Sequence, residues 1–239
     1  MEAAAPTSRA VDLPVVPNAR HLGGLPAPAG PAALHDVIRS GTLAGFQPAA
    51  VDVLHATGVG VIVDLRTADE RALSPEPELG ALGLKQLWLP VVERDPAPLG
   101  VNLEYGHAGF LWMYQNFLEY GRPAIVQLLN VLADSECGVL YHCAAGQDRT
   151  GLITAVLLSL AGVEEGAIIE DHSLSVRADS LAARGIAGAA ASQRITAPQH
   201  GMRALLQMIR DRWGDAEGYV LDAGASPATL SQFRARARG

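Results

Sequence analysis

The stretch from Gly138 to Gly162, GVLYHCAAGQDRTGLITAVLLSLAG, decides the fold of this chain. Gly138-Val139-Leu140-Tyr141 is a short apolar run that fits a buried strand, and Thr150 to Ala161 has the composition of a buried helix closed by Gly162. A strand, a tight loop and a helix in direct succession let successive backbone N–H groups turn inward and cradle an anion, and the geometry favours phosphate. The amides concerned belong to Ala144, Ala145, Gly146, Gln147, Asp148 and Arg149. Gly146 allows the loop to bend where a side chain would intrude.

Cys143 stands at the mouth of this loop, against the positive end of the following helix and near Arg149. Such a setting stabilises a thiolate and makes a nucleophile at neutral pH. Arg149 brings a planar fork of donors onto two phosphate oxygens, able to gather the charge that spreads during phosphoryl transfer. His142 is placed to fix the loop and tune the sulfur, and Thr150 to donate its hydroxyl to that sulfur when a phosphocysteine breaks down. A general acid is also required, and three aspartates compete for the role: Asp148 inside the loop, Asp64 at a strand end and Asp95 in a proline-broken loop. At ordinary residue frequencies this set of side chains at these offsets arises by chance in roughly one such chain per hundred thousand, which outweighs the plain reading of a buried structural cysteine.

Outward from the loop, Val59 to Leu65 reads as a buried strand ending at Asp64-Leu65-Arg66, preceded by a short helix from Pro48 to Thr57. Gln86 to Val92 reads as a second strand and Arg94 to Gly100 as a loop. Tyr105 to Leu132 carries helical spacing broken at Gly121-Arg122-Pro123, which predicts two helices joined by a turn. Glu164 to Arg177, Ala204 to Arg212 and Pro227 to Arg238 read as helices, while residues 1–30 read as an extended lead-in with little regular structure. The alternation predicts an α/β fold, a sheet covered by helices in a single domain spanning 1–239, with strands confined to the first 60% of the chain. Gly185 to Ala191 reads as a mobile segment of low complexity.

Composition narrows the partners. The 239 residues carry 18 basic and 25 acidic side chains, a formal net charge of -7, which argues against nucleic acid and anionic membrane surfaces. The most apolar stretch, Leu152 to Val163, is shorter than the roughly 18 residues that cross a bilayer. With roughly 3.3 Å of rise per residue, Cys137 and Cys143 lie about 20 Å apart along their strand, so both are expected as free thiols in a reducing compartment, and the start of the chain lacks a secretory pattern; a cytoplasmic location is expected. The seven histidines form no spaced ligand pair, so no metal is expected. Asp171 and His172 read as a solvated helix face, Asp64 and Arg66 as a supporting ion pair, and Trp88, Trp112 and Trp213 as core anchors.

At His142-Cys143 through Thr150-Gly151 the chain resembles the cysteine-dependent protein-tyrosine phosphatase superfamily, whose motif is His-Cys, five residues, Arg, then Ser or Thr. The form His-Cys-x-Ala-Gly-x-Asp-Arg-Thr-Gly is similar to bacterial members akin to the mycobacterial tyrosine and lipid phosphatases. Asn18-Ala19-Arg20-His21-Leu22-Gly23-Gly24 and Val63-Asp64-Leu65-Arg66 match further elements of that branch. The resemblance implies the phosphatase fold with a central, mostly parallel sheet of four to five strands, a phosphocysteine at Cys143, Arg149 as phosphate clamp, and neither metal nor cofactor. Two positions depart from the pattern: Gln147 where the branch has lysine, and His21 where it has aspartate. The missing lysine removes positive charge from the mouth and disfavours highly charged phosphoinositides. A helical lid of the relatives would fall on Val176 to His200, a stretch that otherwise reads as a flexible surface loop. The expected activity is hydrolysis of phosphate monoesters of the protein-tyrosine phosphatase type. The rival readings are a phosphatase of a small phosphorylated metabolite and a silent phosphate-binding module, with a phosphoprotein or a small monoester as partner.

Overall fold

The computed structural model describes residues 9–47, 51–92, 107–175 and 189–239, with the helical backbone alone for 107–110 and 189–198. Five strands form one sheet: β1 (Arg20–His21), β2 (Val37–Ser40), β3 (Val59–Asp64), β4 (Lys85–Trp88) and β5 (Gly138–His142), in spatial order β1-β2-β5-β3-β4. All neighbours run parallel except β1, which pairs antiparallel with β2. The register places Ser40 beside His142, His142 beside Asp64, and Asp64 beside Trp88. The carboxyl ends of four parallel strands therefore form one edge, the edge of an α/β sheet at which ligands bind.

The helices are α1 (Val51–Ala56), α2 (Ala68–Leu73), α3 (His107–Tyr120), α4 (Arg122–Asp134), α5 (Asp148–Leu160), α6 (Glu165–Leu174), α7 (Ala189–Trp213), α8 (Ala216–Asp222) and α9 (Pro227–Arg238). Val61, Val63 and Leu65 face the larger apolar core under α3, α4 and α5, while Ile38, Ile62 and Leu140 face a smaller one on the α1 side. The alternation follows from the two-residue period of a strand covered on both faces. Every residue of α5 from Thr150 to Leu158 is buried, so this helix runs through the middle of the helical layer with its N-terminus fixed at the sheet edge. Ser226 accepts from the Thr229 amide and Pro227 occupies the first turn of α9, a start legible in the sequence.

Several expectations need correction. The lead-in contributes β1, and β2 lies in Val37-Ile38-Arg39-Ser40, where a buried arginine and serine conceal the apolar run. The second strand of the middle segment ends at Trp88 rather than Val92. Trp88 is no core anchor: it is 45% exposed, stacks against Arg71 and donates its indole N–H to the Arg66 carbonyl. The helix expected at Ala204 to Arg212 begins at Ala189, so Ala189 to Ala191 are helical, while 185–188 lie outside the described residues. The same is true of Asp95 and of 176–188 in the stretch discussed as a lid. The short helices α2 and α8 add to the expected elements; α2 buries none of its residues and carries no apolar period to read.

Candidate active site

Cys143 follows β5 directly and is 2% exposed, at the base of a loop that returns through Gly146 into α5. Gly146 has φ +69°, and a Cβ there would come within 2.5 Å of Gly41 N and the Ser40 carbonyl carbon. Only glycine passes this crossing without strain. The first backbone bond of α5 runs from the Gly151 amide to the Gln147 carbonyl at 2.8 Å, so the amides of Asp148, Arg149 and Thr150 precede the helical ladder. They point out of the helix end, toward the loop that begins at Cys143.

Arg149 does not lie loose over this loop. Its Nη1 and Nη2 each donate at 2.5 Å to the two carboxylate oxygens of Glu70, a two-point contact that fixes the plane of the guanidinium. Nε–H and the outer η hydrogens remain for a second anion. Burial works against the charge of Arg149, but the Glu70 hydrogen bonds and the Coulombic influence of Cys143 and Glu70 outweigh it and hold the group firmly cationic. Burial likewise opposes charge on Glu70, and the Arg149 bonds overcome it, keeping that carboxyl below its ordinary range. Glu70 has a second duty, closing the capping box of α2 with Thr67.

A cluster of ion pairs surrounds His142, the residue before the cysteine. His142 is wholly buried, with Nε2 3.4 Å from Glu76 Oε2. Glu76 also accepts from the Thr42 hydroxyl and the Leu43 amide, both at 2.7 Å. Its carboxyl sits at about 2: burial would raise it, and His142, Thr42 and Arg66 together pull it down. Asp64 accepts from the Arg66 amide and from Arg66 Nε and Nη2, each at 2.9 Å, and meets Arg71 Nε at 3.1 Å. Asp64, Glu76 and His142 offer ligand atoms within 4.8 Å of one another, the one such trio among the described residues. The Arg66 guanidinium pairs with both of these carboxylates, at 2.9 and 3.1 Å.

Beneath the loop lies a second charged group, unexpected from sequence. Asp171 and His172 are each 1% exposed, so they are not a solvated helix face. The Asp171 carboxylate pairs with Arg9, Arg20 and Arg39 at 2.7, 2.9 and 2.7 Å. Burial would raise the Asp171 pKa, but the arginines hold it far below the carboxylate range, while burial and the neighbouring Arg39 bring Arg20 down to about 10. Three guanidiniums against one carboxylate leave an excess of positive charge behind the loop, in a region where charges are weakly screened.

The candidates named from sequence thus fall into place unevenly. Cys143, Ala144, Ala145, Gly146, Gln147, Asp148, Arg149 and Thr150 form one continuous turn, with His142 leading into it. Asp148 is the first residue of α5, and Thr150 is wholly buried one turn in. Asp64 lies beside His142 across the β3–β5 pair, among arginines. Glu70 and Glu76 escaped the sequence reading. The Thr67-x-x-Glu70 pattern signals a helix start, yet nothing local shows that Glu70 reaches a partner 79 positions away.

A model of a tyrosine phosphatase family matches residues 11–238 of the chain. A tyrosine-protein phosphatase of Nostoc commune is 30% identical over 227 residues, covering 83% of this chain and 73% of the relative. The triple specificity protein phosphatase PtpB of Mycobacterium tuberculosis is 29% identical over 116 residues, 40% of this chain and 42% of its own length. Among solved structures, TpbA of P. aeruginosa aligns over 93% of this chain and 99% of its own with 20% identity and a TM-score of 0.43.

Proposed function

This chain belongs to the tyrosine phosphatase family and is a cysteine-dependent hydrolase of phosphate monoesters, and from that premise we propose how its residues divide the reaction. The Cys143 sulfur attacks phosphorus in line, forming an S–P bond as the P–O bond to the leaving group breaks. The inward amides of residues 144–149 and the free edge of the Arg149 guanidinium hold the three equatorial oxygens, whose charge grows in the transition state. The departing oxygen takes a proton from a general acid. Water then attacks phosphorus, the S–P pair returns to the sulfur with Thr150 donating its hydroxyl, and inorganic phosphate leaves.

Asp148 is our candidate for the acid. It heads α5 inside the loop, whereas the oxygens of Asp64 are taken up by Arg66 and Arg71, which makes Asp64 a supporting anchor. Asp148→Asn is expected to slow alkyl phosphates far more than aryl phosphates, since only a poor leaving group needs the proton; equal losses on both would remove Asp148 from the role. His142, whose Nε2 lies 3.4 Å from Glu76 Oε2, supports the loop.

The observation that carries this reading is the juxtaposition of a cysteine at the base of the turn with an arginine whose orientation is fixed by Glu70. Steady-state assays on a phosphotyrosine peptide, a phosphoinositide and a panel of small monoesters test it. Turnover of the peptide or of a small monoester is expected, and phosphate binding without any turnover would reduce the protein to a silent module. Gln147, 8% exposed where the branch has lysine, leaves the site without a charge for a large anionic headgroup, which disfavours phosphoinositides and keeps a small-molecule monoester as the second reading. Two free thiols suit a reducing compartment, which supports our proposal of a cytoplasmic location; none of the described helices is long and apolar enough to cross a membrane.

A further inference from the structure

In a trans peptide unit the carbonyl of one residue and the N–H of the next point in opposite directions. A donor that captures a carbonyl from outside a loop therefore aims the following amide into it. Three consecutive carbonyls of the Cys143 loop are captured in this way, each by a different group. The Thr42 amide donates to Ala144 O at 3.0 Å, Asn18 Nδ2 donates to Ala145 O at 2.8 Å, and Arg39 Nη2 donates to Gly146 O at 2.8 Å. The amides so aimed are those of Ala145, Gly146 and Gln147.

From this geometry we propose that Asn18 and Arg39 are positioning residues for phosphate binding: through the Ala145 and Gly146 carbonyls they turn the Gly146 and Gln147 amides toward the anion. The proposal rests on the phosphate-cradle reading above and deepens it. Both residues are themselves braced. Asn18 has φ +62°, a conformation that asparagine tolerates better than most residues, and its carbonyl accepts from Arg20 Nη1 at 3.0 Å. Arg39 is fully buried, with Nη1 on Asp171 Oδ2 at 2.7 Å. The buried arginine cluster thus reaches the loop at two adjacent peptide units, directly through Arg39 and by way of Arg20 through Asn18. Without these clamps, two amides are free to rotate toward other acceptors, and phosphate must then reorder them as it binds.

Asn18 permits the cleaner test, because Asn18→Gly keeps the positive φ and the backbone bond to Arg20 while removing only the side-chain donor. Asn18→Asp also keeps the local conformation and sets an acceptor against the Ala145 carbonyl. Inorganic phosphate is titrated as a competitive inhibitor, the amide proton of Gly146 is followed by NMR during the titration, and thermal unfolding is recorded in parallel. A hydrogen bond to a charged group is worth enough that its misalignment is expected to raise the phosphate inhibition constant about tenfold in Asn18→Gly, and further in Asn18→Asp. The phosphate-induced downfield shift of the Gly146 proton is expected to shrink with it. An unchanged inhibition constant and an unchanged Gly146 shift in either folded variant would overturn the proposal, whatever the change in melting temperature. If instead phosphate leaves the loop amides of the unaltered protein unmoved, the cradle reading itself fails.

Discussion

Replacing Glu70 by glutamine separates two opposite readings of its contact with Arg149. A carboxylate near a phosphate site repels the substrate, so if Glu70 were only a competitor for the guanidinium, removing its charge would tighten binding. If Glu70 holds the guanidinium in plane, removing the charge costs order. The structure favours the second: both η nitrogens sit 2.5 Å from the carboxylate, and the pair is mostly shielded, with side-chain exposures of 13% and 31%. In Glu70→Gln one of the two acceptors becomes an NH2 group facing an N–H donor. A two-point charged contact that is shielded but not sealed is worth more than the 0–1 kcal/mol of a surface pair and comparable to a charged hydrogen bond, about 1.5–3 kcal/mol. If this is lost from the transition state, kcat/KM falls roughly 10- to 150-fold. Glutamine can still accept from the Thr67 amide, so the α2 cap and the melting temperature should change little, whereas Glu70→Ala should also lose about 1 kcal/mol of cap. The assay is kcat/KM on a phosphotyrosine peptide or small aryl phosphate with the phosphate inhibition constant alongside. A kcat/KM that is unchanged or higher, with tighter phosphate binding, refutes the reasoning.

Further outcomes follow from the same geometry. Gly146→Ala places a methyl against Gly41 and Ser40 at a φ of +69°, so it should cost about 2–4 kcal/mol in urea unfolding and abolish phosphate binding; a well-folded variant with normal turnover would contradict the loop crossing. His172 is fully buried, and burial, then Arg39, lowers its pKa to about 3. It is neutral in the native state and protonates near 6.5 when unfolded, so the unfolded chain binds the extra proton between these values. Its effect is absent above about pH 6.5, and stability should fall by about 1.4 kcal/mol per pH unit as the pH drops through the window. Denaturant titrations of the native protein and His172→Gln from pH 7 to 4.5 should differ by that slope, and identical slopes would exclude a buried neutral imidazole.

The candidate loop was legible because its pattern is local: His142 to Gly151 contains strand end, cysteine, arginine and helix start within ten consecutive residues. The α/β alternation and the pair of helices α3 and α4 followed from apolar runs and the break at Gly121-Arg122-Pro123 for the same reason, while the parallel order of the sheet followed from the family resemblance. What the sequence concealed depends on distant partners. Arg39 interrupts a strand that would otherwise read as apolar, and its burial makes sense only once Asp171, 132 positions away, is beside it. Asp171 and His172 look like helix surface until the lead-in folds over them with Arg9 and Arg20. Trp88 carries the signature of a core residue, yet as part of the edge strand β4 it is held at the surface by Arg71 and the Arg66 carbonyl. Charge pairing over long separations leaves no periodic trace in a sequence, and this site is built largely from such pairs.

The claim beneath all of this is that phosphorus passes through the sulfur of Cys143. Rapid acid quenching during turnover of an aryl phosphate, followed by mass spectrometry of the peptide containing Cys143, measures it directly. A phosphoryl group on that cysteine is predicted, formed within a single turnover and absent from Cys143→Ser treated alike. Full-rate hydrolysis by the serine variant, or a phosphoryl group found on any other side chain, would contradict the account.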